Sequence, residues 1–158
     1  MRTVVQRVSR AEVRVGGEVV GRIERGLALL VGVEKGDAEA DADTTARKIA
    51  ALRIHPGRTP MDLTTGDVGG ACLVISQFTL CASLSKGNRP SFEPAEAPAR
   101  AEALYLRVAE ALRALGLPVE TGRFGADMQV ELVNDGPVTF IVEARGGALT
   151  KAELPQIG

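Results

Sequence analysis

Val74-Ile75-Ser76-Gln77-Phe78-Thr79-Leu80 is an apolar, strand-like run that carries two hydroxyls and an amide. A strand points alternate side chains to opposite faces, so the spacing puts Ser76, Phe78 and Leu80 on one face and Gln77 and Thr79 on the other. Neither face is purely apolar. A buried polar group without a partner costs about 1–3 kcal/mol, so the run is either a satisfied core network or a site. Gly69-Gly70 before it marks the start of a strand near Ala71.

Upstream, Leu27 to Val33 is a continuous apolar run between Gly26 and Lys35-Gly36-Asp37, which fits a central strand buried on both faces. Thr3 to Val8 reads as a strand. Glu12 to Val15 and Val19 to Ile23 flank Gly16-Gly17 as a hairpin, so the chain opens on antiparallel β structure. After Asp37 the period changes: Ala42, Ala46, Ile49 and Leu52 fall at helical spacing, with Asp37, Glu39, Asp41 and Asp43 crowding the N-terminal side. His55 to Gly70 is rich in Pro and Gly and reads as a loop with a short strand at Met61 to Leu63.

Downstream, Ser83 to Pro98 holds Lys86-Gly87-Asn88-Arg89-Pro90 and reads as an ordered, basic loop. Ala101, Leu104, Val108, Leu112 and Leu115 repeat at three- and four-residue steps, with Pro98 at the first turn and Gly116 at the cap. This predicts a helix from Ala99 to Leu115. Strands follow at Val119 to Thr121, Gln129 to Val133 and Val138 to Glu143, the last two joined by a turn at Asn134-Asp135-Gly136-Pro137. Gly146 to Gly158 lacks a pattern and reads as a tail.

The 158 residues, 45% apolar and 25% charged, suit one soluble domain with its own core. Arg2, Gln6, Arg7 and Arg10 interrupt any signal-like apolar stretch, and no run approaches a membrane span, so a cytoplasmic protein is expected. Cys72 and Cys81 then read as small buried hydrophobes. A single histidine makes a Cys/His metal site improbable, and no cofactor is expected. The net charge of −1 and the five aromatic residues disfavour a general polyanion surface or a base-stacking platform.

Taken alone, Ser76 and Thr79 lack the base that an activated hydroxyl needs, because His55 sits beside Pro56 in a loop. The residues by themselves favour satisfied core polar groups. Asn134 to Pro137 is a turn by default, although a Gly-Pro bond can be held cis and so form a rigid probe. Lys86, Arg89, Arg7 and Arg123 read as ordinary surface or paired charges. Composition and periodicity thus reach an α/β domain of α+β type with an unexplained polar strand.

Seven segments in order together resemble the D-aminoacyl-tRNA deacylase family: Gln6-Arg7-Val8, Gly32-Val33-Glu34-Lys35, Asp67-Val68-Gly69-Gly70, Ser76 to Leu80, Arg89-Pro90-Ser91-Phe92, Thr121 to Met128, and Asn134 to Thr139. The resemblance implies a mainly antiparallel, barrel-like sheet with two principal helices in a single domain, residues 1–145, followed by the tail, 146–158. It implies hydrolysis of the ester of D-aminoacyl-tRNA, without metal or cofactor, by a homodimer. Each site would combine Ser76, Gln77, Phe78 and Thr79 of one subunit with Gly136 and Pro137 of the other. The Gly-Pro element would exclude L side chains and let glycyl-tRNA pass, including that mischarged on tRNA-Ala.

An aminoacyl ester is already activated, so orientation and an oxyanion donor can suffice, and the Phe78 N–H is the candidate donor. Carried over from the family, Arg7 would hold the partner's Gly136-Pro137 turn. Phe124, Ala126 and Met128 would line the pocket for the terminal adenosine or the aminoacyl group, and Lys86 and Arg89 would contact phosphates. Two alternatives stay open: a non-catalytic nucleic-acid-binding protein of the same fold, and a Ser/Thr acyl-enzyme hydrolase. The sequence departs from the family at the loop His55 to Leu63 and past Gly146.

Overall fold

The structure, a computed structural model, describes residues 1–150. Strand β1 (Arg2–Val15) is the spine of a curled mixed sheet, pairing antiparallel with β2 (Glu18–Ile23), β3 (Gly26–Gly32) and β6 (Gln129–Arg145). β4 (Ala71–Ser76) joins β3 in parallel, and β5 (Val119–Thr121) joins β4 in parallel. The sheet order is β5-β4-β3-β1-β6-β7, where β7 is Ala148–Leu149. Helices α1 (Glu39–Ala51) and α2 (Pro98–Ala114) form the two crossovers that parallel pairing requires.

Alternation along β3 and β4 explains their continuous apolar runs. Leu27, Leu29, Val31, Cys72 and Val74 pack against Ile49, Leu104, Tyr105, Val108 and Leu112 of the helices. Ala28, Leu73 and Ile75 face the inside of the curl with Val8, Val13 and Ile23. The predicted single domain, barrel-like sheet and two helices are therefore present, and α2 begins one residue before the expected Ala99. No described helix is long and apolar enough to cross a membrane.

Five expectations are corrected. β4 stops at Ser76, and Phe78–Cys81 is a 3-10 turn, so alternation does not extend through Leu80. The reason is that β3 ends at Gly32: Gln77 N–H makes the last rung to the Val31 carbonyl (2.8 Å), and β3 offers no further strand residue to pair with. Thr3 to Val8 and Glu12 to Val15 are one strand, irregular near Arg7. The predicted strand at Met61 to Leu63 is a single bridge between His55 and Leu63. The tail begins with a short strand, Ala148–Leu149, paired to β6, while residues 151–158 lie outside the described residues.

The fifth correction concerns Asn134 to Pro137, which is no hairpin turn. It is a bulge inside the continuous strand β6: Gln6 faces Thr139 and Val8 faces Asn134, so four residues stand opposite Arg7 alone. Side chains replace the missing rungs. The Asn134 amide donates to the Arg7 carbonyl (3.0 Å) and to the Val138 carbonyl (3.1 Å), spanning the base of the bulge. The Gly136-Pro137 peptide at its tip is cis.

Candidate active site

Ser76 keeps the parity of Cys72 and Val74, so it faces the helical side of the sheet, but at the C-terminal edge where the core opens. Clefts outside the carboxyl ends of parallel strands are common ligand sites because the loops splay apart there. A cavity of about 300 Å³ lies at this edge, lined by Val31, Val33, Ser76, Gln77, Phe78, Ala95, Glu96, Pro98, Ala101, Tyr105, Phe124 and Gly125. A second, of about 220 Å³, lies on the other side of the strand end. It shares Ser76, Gln77, Phe78 and Gly125 and adds Ile75, Ala126, Met128 and Val130. Phe78, the first residue of the 3-10 turn, lines both.

The turn is seated by close contact. Leu80 N–H donates to the Gln77 carbonyl (3.2 Å) and Ala82 N–H to that of Thr79 (3.2 Å). The Phe78 and Thr79 N–H groups find no acceptor among the described residues, as expected at the start of a helical turn. The Gln77 side-chain amide donates to the Thr79 hydroxyl oxygen, which leaves the Thr79 O–H free to donate outward. Phe78 is 57% exposed and meets Phe92 edge to face, ring centroids 5.0 Å apart.

Gly32 permits this seating. A Cβ there would lie 2.9 Å from Leu80 Cβ and 3.1 Å from both Cys81 Sγ and the Gln77 carbonyl oxygen. Gly32→Ala must therefore push the turn off the sheet, and turnover should fall about tenfold, within the range for sub-ångström misplacement. The check is kcat with a circular dichroism spectrum; an unaltered kcat would show that this contact does not set the turn.

The floor of the larger cavity is apolar. Tyr105 is buried, its hydroxyl donating to the Val74 carbonyl (3.2 Å), and burial raises its pKa, so it stays an uncharged phenol. Its ring lies 6.1 Å from that of Phe124. Cys81 closes the turn, but burial, followed by the nearby Glu34 charge, pushes its thiol up to about 11; Cys72 is pushed to about 12 by burial. Both shifts disfavour the thiolate that a cysteine nucleophile needs.

The structure brings Ser76, Gln77, Phe78, Phe124, Ala126 and Met128 together around the turn, with Thr79 on it. Lys86 and Arg89 lie exposed in the loop that leads to Phe92. Gly136 and Pro137 line neither cavity. Arg7 holds the bulge of its own chain: Nε donates to the Asp135 carbonyl (3.0 Å), and the Asp135 carboxylate lies 3.3 Å away. Its Nη1 donates to the Ile54 carbonyl (2.7 Å). Gly136 has φ +132°, and a Cβ there would meet Val138 Cγ2 at 2.6 Å, so glycine is required at the bulge.

Sequence reasoning missed Val31, Val33, Ala95, Glu96 and Tyr105 as cavity residues, and the Asn134 amide as a clamp. Tyr105 gave a signal, as the sole tyrosine beside a leucine on the buried helix stripe. His55 lines neither cavity. It is buried, with Nε2 3.0 Å from the Thr65 hydroxyl.

Burial first, then the charges of Arg25 and Arg7, lower the His55 pKa from its ordinary 6.5, against a smaller opposing effect of Asp135. The unfolded chain then binds the proton more readily, so stability is full above the ordinary value and declines as pH falls below it. Thermal unfolding scans between about pH 5 and 7 should show this slope in the wild type and a shallower one in His55→Leu. Parallel curves would assign the slope to other groups.

With this geometry established, comparison with known proteins is decisive. A family model described as D-Tyr-tRNA(Tyr) deacylase matches residues 4–143. The chain belongs to the D-Tyr-tRNA(Tyr) deacylase family. It is 59% identical over 145 residues to a D-aminoacyl-tRNA deacylase of Paracoccus denitrificans, covering 91% of this chain and 97% of that protein. It is 57% identical over 146 residues to that of Anaeromyxobacter dehalogenans, covering 92% and 98%.

Among solved structures, a c-Myc DNA Unwinding Element Binding Protein superposes with a TM-score of 0.85 at 39% identity, covering 91% of this chain and 99% of that one. A probable eukaryotic D-amino acid tRNA deacylase superposes with a TM-score of 0.73 at 16% identity, covering 89% and 97%, a likeness of fold. The D-Tyr-tRNA(Tyr) deacylase match runs from within β1 to within β6, so the two cavities and the bulge all fall within it.

Proposed function

We propose that this chain hydrolyses D-aminoacyl-tRNA, releasing free amino acid and tRNA as a chiral proofreading step in the cytoplasm. The observation that carries the reading is the pair of unbonded N–H groups at Phe78 and Thr79, on a turn whose first residue lines both cavities, in a chain of this family. Donors aimed at a developing oxyanion stabilise charge where the transition state acquires it. In this reading the ester carbonyl oxygen sits on the Phe78 N–H. Water adds to the carbonyl carbon, the bond to the ribose oxygen breaks, and that oxygen takes a proton, with the neighbouring 2′-hydroxyl as carrier. Ser76, Gln77 and Thr79 orient the ester.

The larger cavity, apolar and floored by Tyr105 and Phe124, suits the terminal adenosine. The smaller one, with Ala126 and Met128, borders the aminoacyl group. Lys86 and Arg89 meet backbone phosphates of the acceptor end.

The second half of the site comes from another copy. In sheet order β6 lies three strands from β4, roughly 14 Å at the usual spacing, so a chain's own Gly136-Pro137 is poorly placed for its own turn. β6 also exposes Val130, Val133, Phe140 and Ile141, the last 63% exposed, which suits burial in a homodimer. In this arrangement Pro137 of the partner blocks L side chains, and glycyl-tRNA, including that mischarged on tRNA-Ala, passes.

Hydrolysis of matched D-, L- and glycyl-tRNA tests the reading: rapid release is expected for the first and third and little for the second. Folded protein that leaves D-aminoacyl-tRNA intact would overturn it. One solved relative is named for DNA binding, so the same protein is titrated with tRNA and duplex DNA across salt; affinity without turnover would favour a binding protein. A covalent adduct on Ser76 or Thr79 would instead indicate an acyl-enzyme route, for which the Thr79 hydroxyl has only the Gln77 amide as partner and the histidine is bonded to Thr65.

A further inference from the structure

We propose that the buried His55–Thr65 pair is a positioning device for the Gly136-Pro137 bulge, acting through the Ile54 carbonyl and Arg7. The proposal rests on the reading that this bulge excludes L side chains. His55 and Thr65 are 1% and 0% exposed and meet at 3.0 Å, with no part in the chemistry at the 3-10 turn. A buried polar pair of this kind fixes relative position, because separating the partners leaves both unsatisfied.

The pair ties both ends of the loop between α1 and β4. On one side His55 follows Ile54, whose carbonyl receives Arg7 Nη1 at 2.7 Å. The His55 main chain is itself bridged to Leu63, N–H to carbonyl at 3.0 Å and back at 2.9 Å. On the other side the Thr65 carbonyl receives the Gly70 N–H (2.9 Å), one residue before β4. Arg7 then has two anchors of different origin: Ile54 on this loop and Asp135 on the bulge. A loop free to drift would carry the Ile54 carbonyl away and leave the guanidinium anchored on the bulge alone.

The hydroxyl can be removed without changing shape. Thr65→Val keeps the volume and loses the hydrogen bond, whereas Thr65→Ser keeps the hydroxyl and loses a methyl group. Rates on D- and L-aminoacyl-tRNA are measured for both, and for Pro137→Ala as a reference. Thr65→Val should narrow the D-over-L ratio about tenfold, the equivalent of one hydrogen bond, mainly by admitting the L substrate. Thr65→Ser should keep the wild-type ratio.

A Thr65→Val protein with full discrimination would overturn the proposal. So would equal loss in both variants, since packing would then be responsible rather than the hydrogen bond. If Pro137→Ala discriminates like the wild type, the underlying reading of the bulge fails, whatever Thr65 does. A Thr65→Val change confined to melting temperature would also count against a positioning role.

Discussion

Phe78→Pro is expected to lower kcat on D-aminoacyl-tRNA by about 10²–10³, the usual effect of removing one oxyanion donor. Proline at this position deletes the N–H and little else of the backbone. The turn begins here, where proline's fixed φ is tolerated. Gln77 before it has φ −143° and ψ 79°, outside the α region that a following proline disfavours. The lost ring is controlled with Phe78→Ala, which keeps the N–H and gives up the contact with Phe92 and the ring's share of both cavity walls. That contact is worth about 0.5–1.5 kcal/mol, so Phe78→Ala should cost at most about tenfold. Equal kcat in the two variants would remove the Phe78 amide from the mechanism and leave Thr79 as the group to test.

The reason a backbone group can dominate lies in how the sheet ends. β3 stops at Gly32 and β4 at Ser76, so the chain leaves the ladder with two donors unspent. Their orientation is set by a turn packed on Gly32 and braced by Phe92. A hydroxyl nucleophile would need a base, and the one histidine is committed to Thr65 elsewhere in the fold. An ester needs less assistance than an amide, so prepaid orientation is an adequate mechanism.

How much of this was readable in the residues depends on which interactions are local. α2 was legible because its apolar stripe and its Pro98 and Gly116 ends are properties of one segment. β3 was legible because burial on both faces leaves an unbroken apolar run. The end of β4 was not, since it is imposed by where β3 stops, a fact outside the segment. The bulge at Asn134 to Pro137 looked like a turn because its composition is that of a turn. What keeps β6 continuous is a side-chain amide and a guanidinium reaching from residues more than a hundred positions apart. The site residues came from the resemblance, and their gathering around two cavities required the fold.

Arg7 carries the second large expected effect. Its side chain is 10% exposed and its fork spans two carbonyls, Ile54 at 2.7 Å and Asp135 at 3.0 Å. In Arg7→Ala these carbonyls lose their donor, and a buried unsatisfied acceptor costs about 1–3 kcal/mol. The Asp135 carboxylate is half exposed, so the charge pair itself adds little. The bulge retains its Asn134 clamp and the fold survives, but Gly136-Pro137 loses the support on its Arg7 side. Turnover on D-aminoacyl-tRNA should fall about 10²-fold, the scale of an ångström's misplacement, with weakened rejection of the L substrate. Arg7→Lys should restore charge but little activity, because a point-like ammonium cannot span both carbonyls. Denaturant midpoints and single-turnover rates on both substrates, taken where the variants remain folded, separate stability from placement. An Arg7→Ala enzyme that is less stable yet still discriminates fully would mean that the Asn134 amide alone positions the bulge.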